Sequence, residues 1–274
     1  MRSYAVQRIL EMALVLLGVS LLVFLMVHLI PGDPALLIAG MEASPETVEG
    51  IRRDLGLDQP LHRQFGSFLK RVVSGDLGTS IRTGSPVAEE IAERFPFTAR
   101  IAIGATLAAT LLGILSGVLA AVYHNRVWDT LVTVLALVGA STPSYWLALM
   151  LMLAFSLSLN LLPAIGVGTP LHYVLPMATL GAQSGGMIAR MTRAAMLDVL
   201  RQGYVGAARS RGLAESVVIL RHALANALLP IVSLVGLRFG GLLAGTVLVE
   251  SVFAIPGVGR MLVDAVLARD YPMV

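Results

Sequence analysis

Long apolar runs alternate with short charged segments along this chain. The first run, residues 12–32, has 21 residues without Asp, Glu, Lys or Arg, and about 20 apolar residues suffice to cross a bilayer as a helix. Further apolar runs cover residues 101–125, 130–157, 173–195 and 226–249. Because a secretory signal has an apolar core of only about 7 to 15 residues, the first run is predicted to be an uncleaved membrane helix. The pattern predicts an all-α integral membrane protein with five transmembrane helices.

The middle of the chain is predicted to form a hairpin of two of these helices. Residues 130–189 contain no Asp, Glu, Lys or Arg, and such a run is too long for one membrane-spanning helix. Glycine and proline residues near 160–170 divide it with a short turn. Pro143 lies inside the first helix of the hairpin, where we expect only a kink. Gly181, Gly185 and Gly186 in the second helix are expected to allow close contact between helices.

Residues 31–96 differ from the rest of the chain, with seven basic and ten acidic residues. This composition predicts a helical insert outside the membrane. A first helix is expected to begin at Pro45 and to end before Gly56, and a second lies before Gly75. A third is predicted to begin at Ser85-Pro86 and to carry Glu89 and Glu90 in its first turn.

The last segment, residues 250–274, is predicted to turn at Pro256-Gly257 and then form a short amphipathic helix. Four apolar residues of that helix are expected to face inward: Met261, Leu262, Ala265 and Val266.

The composition supports an integral membrane protein and argues against metal binding and nucleic-acid binding. Hydrophobic residues make up 56% of the chain and charged residues 14%, whereas charge alone is about 25% in soluble domains. The absence of cysteine excludes disulfides and thiolate metal sites, and five scattered histidines argue against a metal centre. The basic residues lie beside apolar segments, which indicates a role in membrane topology and not in nucleic-acid binding.

Residues 189–230 form the most basic connection between apolar runs, with six arginines and two acidic residues. Short connections with this bias stay on the cytoplasmic side. Four predicted membrane helices precede this connection, so the N-terminus lies on the same side and is also predicted to be cytoplasmic. Residues 206–212, Gly-Ala-Ala-Arg-Ser-Arg-Gly, are typical of a helix with a small-residue face that Gly212 ends. A second helix is predicted to begin near Glu215. We expect this loop to be a docking element.

This loop resembles the Glu-Ala-Ala…Gly loop of ATP-binding-cassette importer permeases. The dipeptide, oligopeptide and nickel branch of that family is matched by Tyr204-Val205, Ala207-Ala208, Gly212, His222-Ala223-Leu224, Asn226 and Pro230. Two positions depart from the family pattern: Gly206 replaces the glutamate, and Gly203 replaces an acid that commonly precedes the tyrosine. Residues 31–96 and the segment from Glu250 to Pro256-Gly257 are also similar to this branch.

The resemblance implies a single transmembrane permease domain over residues 1–274, with a periplasmic insert at 31–96 and a cytoplasmic coupling loop at 196–225. In the family this loop sits in a groove of the ATPase subunit and transmits its movement. The residues expected to form the coupling contact are Tyr204, Ala207, Ala208, Gly212, His222 and Asn226. Asp33, Asp76 and Gly78 are expected on the insert surface that faces the binding protein. The resemblance also implies one more membrane helix beyond this chain's last residue.

The resemblance further implies the partners and the setting. We expect a second homologous permease subunit, two ATP-binding-cassette ATPase subunits and a periplasmic or lipid-anchored substrate-binding protein, in a bacterial or archaeal cytoplasmic membrane. ATP and magnesium would be bound by the ATPases, with no cofactor in this chain. Dipeptides or oligopeptides are the expected substrates, with nickel, glutathione and other small solutes as alternatives.

Arg238 lies near the middle of the fifth apolar run. A charge at that depth costs about 2.5–3.5 kcal/mol on insertion scales, so such a residue faces protein or water. Two interpretations are open. Arg238 either makes a structural bond to helix carbonyls or to an acid of a partner subunit, or it lines the pathway and meets the carboxylate of a passing peptide.

The chain has no sequence signature of its own for catalysis. A Walker phosphate loop needs a lysine after its glycines, and the single lysine, Lys70, lies in Phe-Leu-Lys-Arg. An intramembrane hydrolase would need a catalytic pair at one depth, which the sequence does not show. An ion-coupled secondary transporter or channel is the alternative function, with Arg238 in its site; dependence on ATP distinguishes the two.

Overall fold

A computed structural model describes residues 2–29, 34–40, 43–54 and 56–274 of the chain. These residues form helices joined by turns, with one isolated antiparallel bridge between Thr79 and Pro86. The described ranges contain no β-strand. The prediction of an all-α protein is therefore confirmed.

The first half of the chain contains two long helices and three short ones. They are α1 (Arg2–Leu29), α2 (Pro34–Ala39), α3 (Pro45–Asp54), α4 (Leu61–Val73) and α5 (Val87–Val122). Helix α3 begins at Pro45 and α4 ends before Gly75, as the sequence predicts. Gly56 and Gly75, which follow them, have positive φ angles of 68° and 81°, a backbone conformation that glycine adopts without steric cost.

The second half contains α-helices together with two π-helical segments and one 3₁₀ turn. The α-helices are α6 (Val127–Ser141), α7 (Ser144–Leu151), α8 (Val174–Leu200), α9 (Gly203–Ser210), α10 (Glu215–Val217), α11 (Ala225–Val252) and α12 (Val258–Ala268). The π-helical segments are Met152–Ser158 and Val218–Leu224, and the 3₁₀ turn is Pro170–Tyr173.

Residue contacts divide the chain into two compact units. One consists of Met1–Glu93 with Leu262–Val274, and the other of Arg94–Met261. In the first unit, Phe24 of α1 packs against Phe65 and Phe68 of α4, with ring centroids 5.3 and 6.3 Å apart. Most of the apolar side chains described along α1 remain exposed, as expected of a helix that contacts lipid or another subunit.

Within the described ranges, three helices are long and apolar enough to cross a membrane, namely Ala5–Met26, Val87–Val122 and Glu215–Val252. The pair Val127–Ser141 and Ser144–Ser158 would be a fourth, but it is bent by 108°. The bend expected at Pro143 is present, but at 108° it is much sharper than a kink within one helix and it separates α6 from α7. Pro143 has no N–H to continue the ladder of α6, and Thr142 before it takes an extended conformation with ψ 127°.

Helix α8 corresponds to the predicted fourth span, residues 173–195, and it packs at the centre of the second unit. It packs against α6, α7 and α11, and many of its small and polar residues are buried, including Thr179, Ser184 and Thr192. A helix enclosed by other helices does not need an apolar surface on all sides. That α8 crosses the membrane therefore stays a prediction, because its length and composition alone do not establish it.

Glycines set the closest approaches of α8 to its neighbours. A Cβ atom added at Gly186 would lie 2.5 Å from the carbonyl oxygen of Ala136 on α6. One added at Gly117 of α5 would lie 2.5 Å from the carbonyl oxygen of Ala189. Gly181 and Gly185 make looser contacts with α5, at 3.4 Å or more. The expected role of glycine in helix contact is confirmed, most sharply at Gly186.

Two boundaries differ from the sequence-based expectation. The helix that begins after Ser85-Pro86 does not end within the insert but continues through Pro96 as α5 to Val122, since membrane helices tolerate an internal proline. In α12, Met261 and Ala265 are buried as predicted, whereas Leu262 and Val266 are 40% and 46% exposed. The inward face of α12 therefore includes Met261 and Ala265 but not Leu262 and Val266.

Candidate functional site

The loop between α8 and α11 projects a short helix, α9, whose end is fixed by a glycine. Gln202, in extended conformation, precedes α9, and Gly212 follows it with φ +75°. The N–H of Gly212 donates to the carbonyl of Arg209 (2.9 Å), and that of Arg211 donates to the carbonyl of Ala207 (3.2 Å). Any other residue at position 212 would have to adopt a left-handed backbone conformation, which is sterically unfavourable for residues with a Cβ atom. The predicted helix and its glycine stop are confirmed.

Helix α9 has one buried side and one open side. Val205 and Ala208 are buried against Val218, and Val199 and Leu200 at the end of α8 pack on the same cluster. Tyr204 is 45% exposed, Ala207 is exposed, and a Cβ atom added at Gly203 or Gly206 would meet nothing within 4 Å. The structure thus separates Ala208, which anchors α9, from Tyr204, Ala207 and Gly212, which lie on its open surface.

An ion pair closes the turn between α9 and α10. Arg209 donates two hydrogen bonds to Glu215, from Nε (3.1 Å) and Nη2 (2.6 Å). Both side chains are exposed, and exposed pairs of this kind contribute about 0–1 kcal/mol. The Glu215 carboxylate raises the pKa of Arg209 above its usual value, chiefly through these hydrogen bonds. The pair helps to fix the loop's shape and leaves the open surface of α9 uncovered.

The two remaining coupling candidates lie where the loop enters α11. The side-chain amide of Asn226 donates to the carbonyl of His222 (2.7 Å). His222 belongs to the π-helical segment Val218–Leu224, and π-helical turns are frequent at functional positions. The structure therefore brings His222 and Asn226 together, but on a different part of the loop from the open surface of α9.

A buried carboxylate binds the C-terminal part of α8, close to the coupling loop. Asp129, in the first turn of α6, is 5% exposed. Arg193 of α8 donates to both its oxygens, at 2.5 Å from Nε and 2.8 Å from Nη2. The Asn125 N–H also donates to it (2.9 Å), and His124 Nδ1 lies 3.0 Å from Oδ2. We call these four residues the Asp129 cluster. Sequence analysis missed it, because Asp129 and Arg193 are 64 residues apart.

Arg238 lies in α11 with one face toward α8. Its Nη2 contacts the sulfur of Met187, and its buried Nε atom has no hydrogen-bond partner among the described residues. A Cβ atom added at Gly236, Gly240 or Gly241 would meet nothing within 4 Å. The faces of α11 that carry these glycines are therefore open in this chain, whereas Arg238 itself is partly buried. Both interpretations of this residue, the structural bond and the pathway contact, stay predictions.

The insert residues form rigid turns where they are described. Asp76 accepts a hydrogen bond from the Gly78 N–H (2.9 Å), and Gly78 has φ +84° and lies near Pro272. Asp33 lies outside the described residues. A residue that sequence analysis missed organises the adjacent loop: Asp270, 2% exposed, accepts hydrogen bonds from the Ser80 hydroxyl (2.5 Å) and the Ile81 and Arg82 N–H groups (3.1 and 3.3 Å).

A third buried acid, Glu250, lies near the end of α11. It is 0% exposed and accepts hydrogen bonds from the Thr98 hydroxyl (2.7 Å) and the Arg260 N–H (3.0 Å). A Cβ atom added at Gly257 would lie 2.3–2.4 Å from this carboxylate. The Pro-Gly turn noted in the sequence is therefore packed directly on Glu250, which explains why position 257 is a glycine.

The described residues show no arrangement that would bind a metal. No group of three or more His, Asp or Glu side chains in these ranges is placed to hold an ion. The expected absence of a cofactor in this chain stays a prediction.

Comparison with known families identifies the class of protein. The family described as "Binding-protein-dependent transport system inner membrane component" matches residues 109–274. The description of the N-terminal part of the membrane component of such systems matches residues 1–102. The chain belongs to this permease family. The sequence resemblance is confirmed: the protein is a non-catalytic permease subunit of an ATP-binding-cassette importer of the peptide and nickel type.

Individual relatives of this permease match along its entire length. The glutathione transport system permease protein GsiC of Escherichia coli strain K12 is 45% identical over 274 residues, which is 100% of this chain and 90% of that protein. GsiC of Salmonella typhimurium and of Pectobacterium atrosepticum are each 47% identical over the same shares. The permease is accordingly a multi-pass protein of the inner membrane, and an importer of this class acts with an ATPase and a substrate-binding protein.

Proposed function

We propose that this permease imports glutathione or closely related short peptides. The observation that carries the proposal is the 45–47% identity, over the whole chain, to permeases that are named for glutathione transport. Glutathione is a tripeptide, so this substrate belongs to the peptide class expected from the sequence. Its carboxylates need a cation along the path, and Arg238, whose Nε atom lacks a partner among the described residues, is the candidate.

We propose that the open surface of α9 is the contact with the ATPase. Tyr204, Ala207 and Gly212 would meet the ATPase, whereas Ala208 would seat α9 on α8 through its buried position. His222 and Asn226 would shape the return of the loop into α11. The basic loop would lie in the cytoplasm together with the N-terminus, because arginine-rich short loops remain on that side.

The complete importer would contain a second homologous permease subunit, two ATPase subunits and a periplasmic or lipid-anchored binding protein. Closure of the ATPases would move α9 and α8 as a rigid body and open the path toward the binding protein. The insert around Asp33, Asp76 and Gly78 would then face that protein.

The test is ATP-driven uptake in proteoliposomes that contain this chain with the permease, ATPase and binding protein encoded beside it. Uptake of labelled glutathione that needs ATP and the binding protein is the expected result. Ala207→Arg should abolish copurification of the ATPase while the two permeases stay assembled, and Ala207→Ser is the matched control. Unaltered ATPase binding by Ala207→Arg would contradict the coupling surface, and ATP-driven uptake of neither glutathione nor short peptides would contradict the substrate.

A further inference from the structure

The Asp129 cluster joins three elements that lie next to the coupling loop. Asp129 belongs to the first turn of α6, Asn125 and His124 to the turn after α5, and Arg193 to α8. All their contacts lie within the unit formed by Arg94–Met261. The cluster therefore fixes α8 to the start of α6.

The same stretch of α8 also supports α9. Val199 and Leu200, which pack with buried Val205 and Ala208, follow Arg193 by six and seven residues. This separation is about 10 Å along an α-helix. One rigid helix thus carries the seat of α9 at its end and the partner of Asp129 less than two turns before it.

The form of the Asp129–Arg193 contact is suited to transmitting movement. A two-point bond between a guanidinium and a carboxylate fixes both distance and orientation. Asp129 is nearly buried, whereas the Arg193 side chain is 28% exposed. Separating the pair would leave a buried carboxylate without its cation, which is strongly unfavourable. The two helices are consequently expected to move together.

We propose that Asp129 and Arg193 are a positioning pair that makes α6 follow the displacement of α9 and α8 when the ATPases close. This inference rests on the proposed coupling role of α9. Because α6 leads into the 108° bend before α7, the pair would carry the displacement to the part of the second unit where the membrane helix is broken. Neither residue contacts the ATPase or the substrate in this proposal.

The test is a double-mutant cycle on the complete importer, with Asp129→Asn, Arg193→Gln and both together. The measured quantity is substrate transported per ATP hydrolysed, normalised to assembled complex, together with the stimulation of ATPase activity by the loaded binding protein. Arg190→Gln is the matched control, since Arg190 lies one turn earlier on α8 and makes no hydrogen bond to Asp129.

Each single variant is expected to lower transport per ATP about fivefold to tenfold, a size typical of changes along a coupling network. The double variant should lose no more than either single one, because all three remove the same contact. ATPase copurification should persist, and the control should behave as wild type. Should Arg193→Gln fail to assemble, Arg193→Lys keeps the charge and loses the two-point bond, and it should still lower the ratio.

An unchanged ratio in assembled Asp129→Asn or Arg193→Lys complexes would overturn the proposal, and so would strictly additive losses in the cycle. Failure of the proposed coupling role of α9 gives a different result, because Ala207→Arg complexes would then keep their ATPase. Loss of assembly alone, with a normal ratio in the remaining complexes, would show a purely structural pair and would also overturn the inference.

Discussion

The carboxylate of Glu250 accepts a hydrogen bond from the hydroxyl of Thr98 at 2.7 Å, across 152 residues of sequence. The Thr98 oxygen in turn accepts from the Val258 N–H (2.9 Å). The Thr98 and Glu250 side chains are both buried, so water does not replace these hydrogen bonds when one of the partners is removed. These two hydrogen bonds join the end of α11, the start of the membrane part of α5 and the turn before α12.

Thr98→Val should therefore destabilise the protein although it preserves the shape of the side chain. It removes the donor to Glu250 and the acceptor for Val258, and each buried polar group left without a partner costs about 1–3 kcal/mol. Thermal unfolding of the purified permease in detergent measures the effect. Thr98→Ser keeps the hydroxyl and is the matched control. Equal midpoints for the valine and serine variants would show that the bond contributes nothing to stability.

Gly186→Ala should force α8 away from α6. The added Cβ atom would lie 2.5 Å from a backbone oxygen of Ala136, and backbone atoms cannot rotate aside as a side chain can. Overpacking of this kind costs about 1–3 kcal/mol. Gly240→Ala is the matched control, because its Cβ atom would meet nothing within 4 Å in this chain. The midpoint of thermal unfolding should fall for Gly186→Ala and stay or rise for Gly240→Ala, and the reverse order would contradict the packing.

Asp270→Ala should release the loop at residues 79–86. The Ser80 hydroxyl and the N–H groups of Ile81 and Arg82 all donate to this buried carboxylate. Removing it leaves these donors without their acceptor, at about 1–3 kcal/mol for each group that stays buried. Hydrogen exchange followed by mass spectrometry should show faster exchange in peptides that cover this loop. Glu93→Gln, at an exposed acid of α5, is the control, and identical exchange in both variants would argue against a role for Asp270.

Local patterns in the sequence were sufficient for much of the fold and for the position of the candidate coupling helix. Helix α9 ends where Gly212 was expected to end it, because a glycine with positive φ is a local requirement of the backbone. Proline and glycine residues likewise mark the start of α3, the ends of α3 and α4, and the turn before α12. The family resemblance rested on the coupling loop, on the insert and on the segment from Glu250 to Gly257, and it was confirmed over residues 1–102 and 109–274.

The sequence by itself determined what depends on neighbours a few residues away: the membrane class, the short helices of the insert and the helix that the coupling loop presents. Only the tertiary structure decided which buried acids bind which partners, since Asp129, Glu250 and Asp270 each meet a residue at least 64 positions away. It also decided that the chain bends by 108° at Pro143. A buried charge binds the partner that packing brings within hydrogen-bond distance. Helical periodicity shows which face of a helix is buried, but it does not show which distant residue will contact that face.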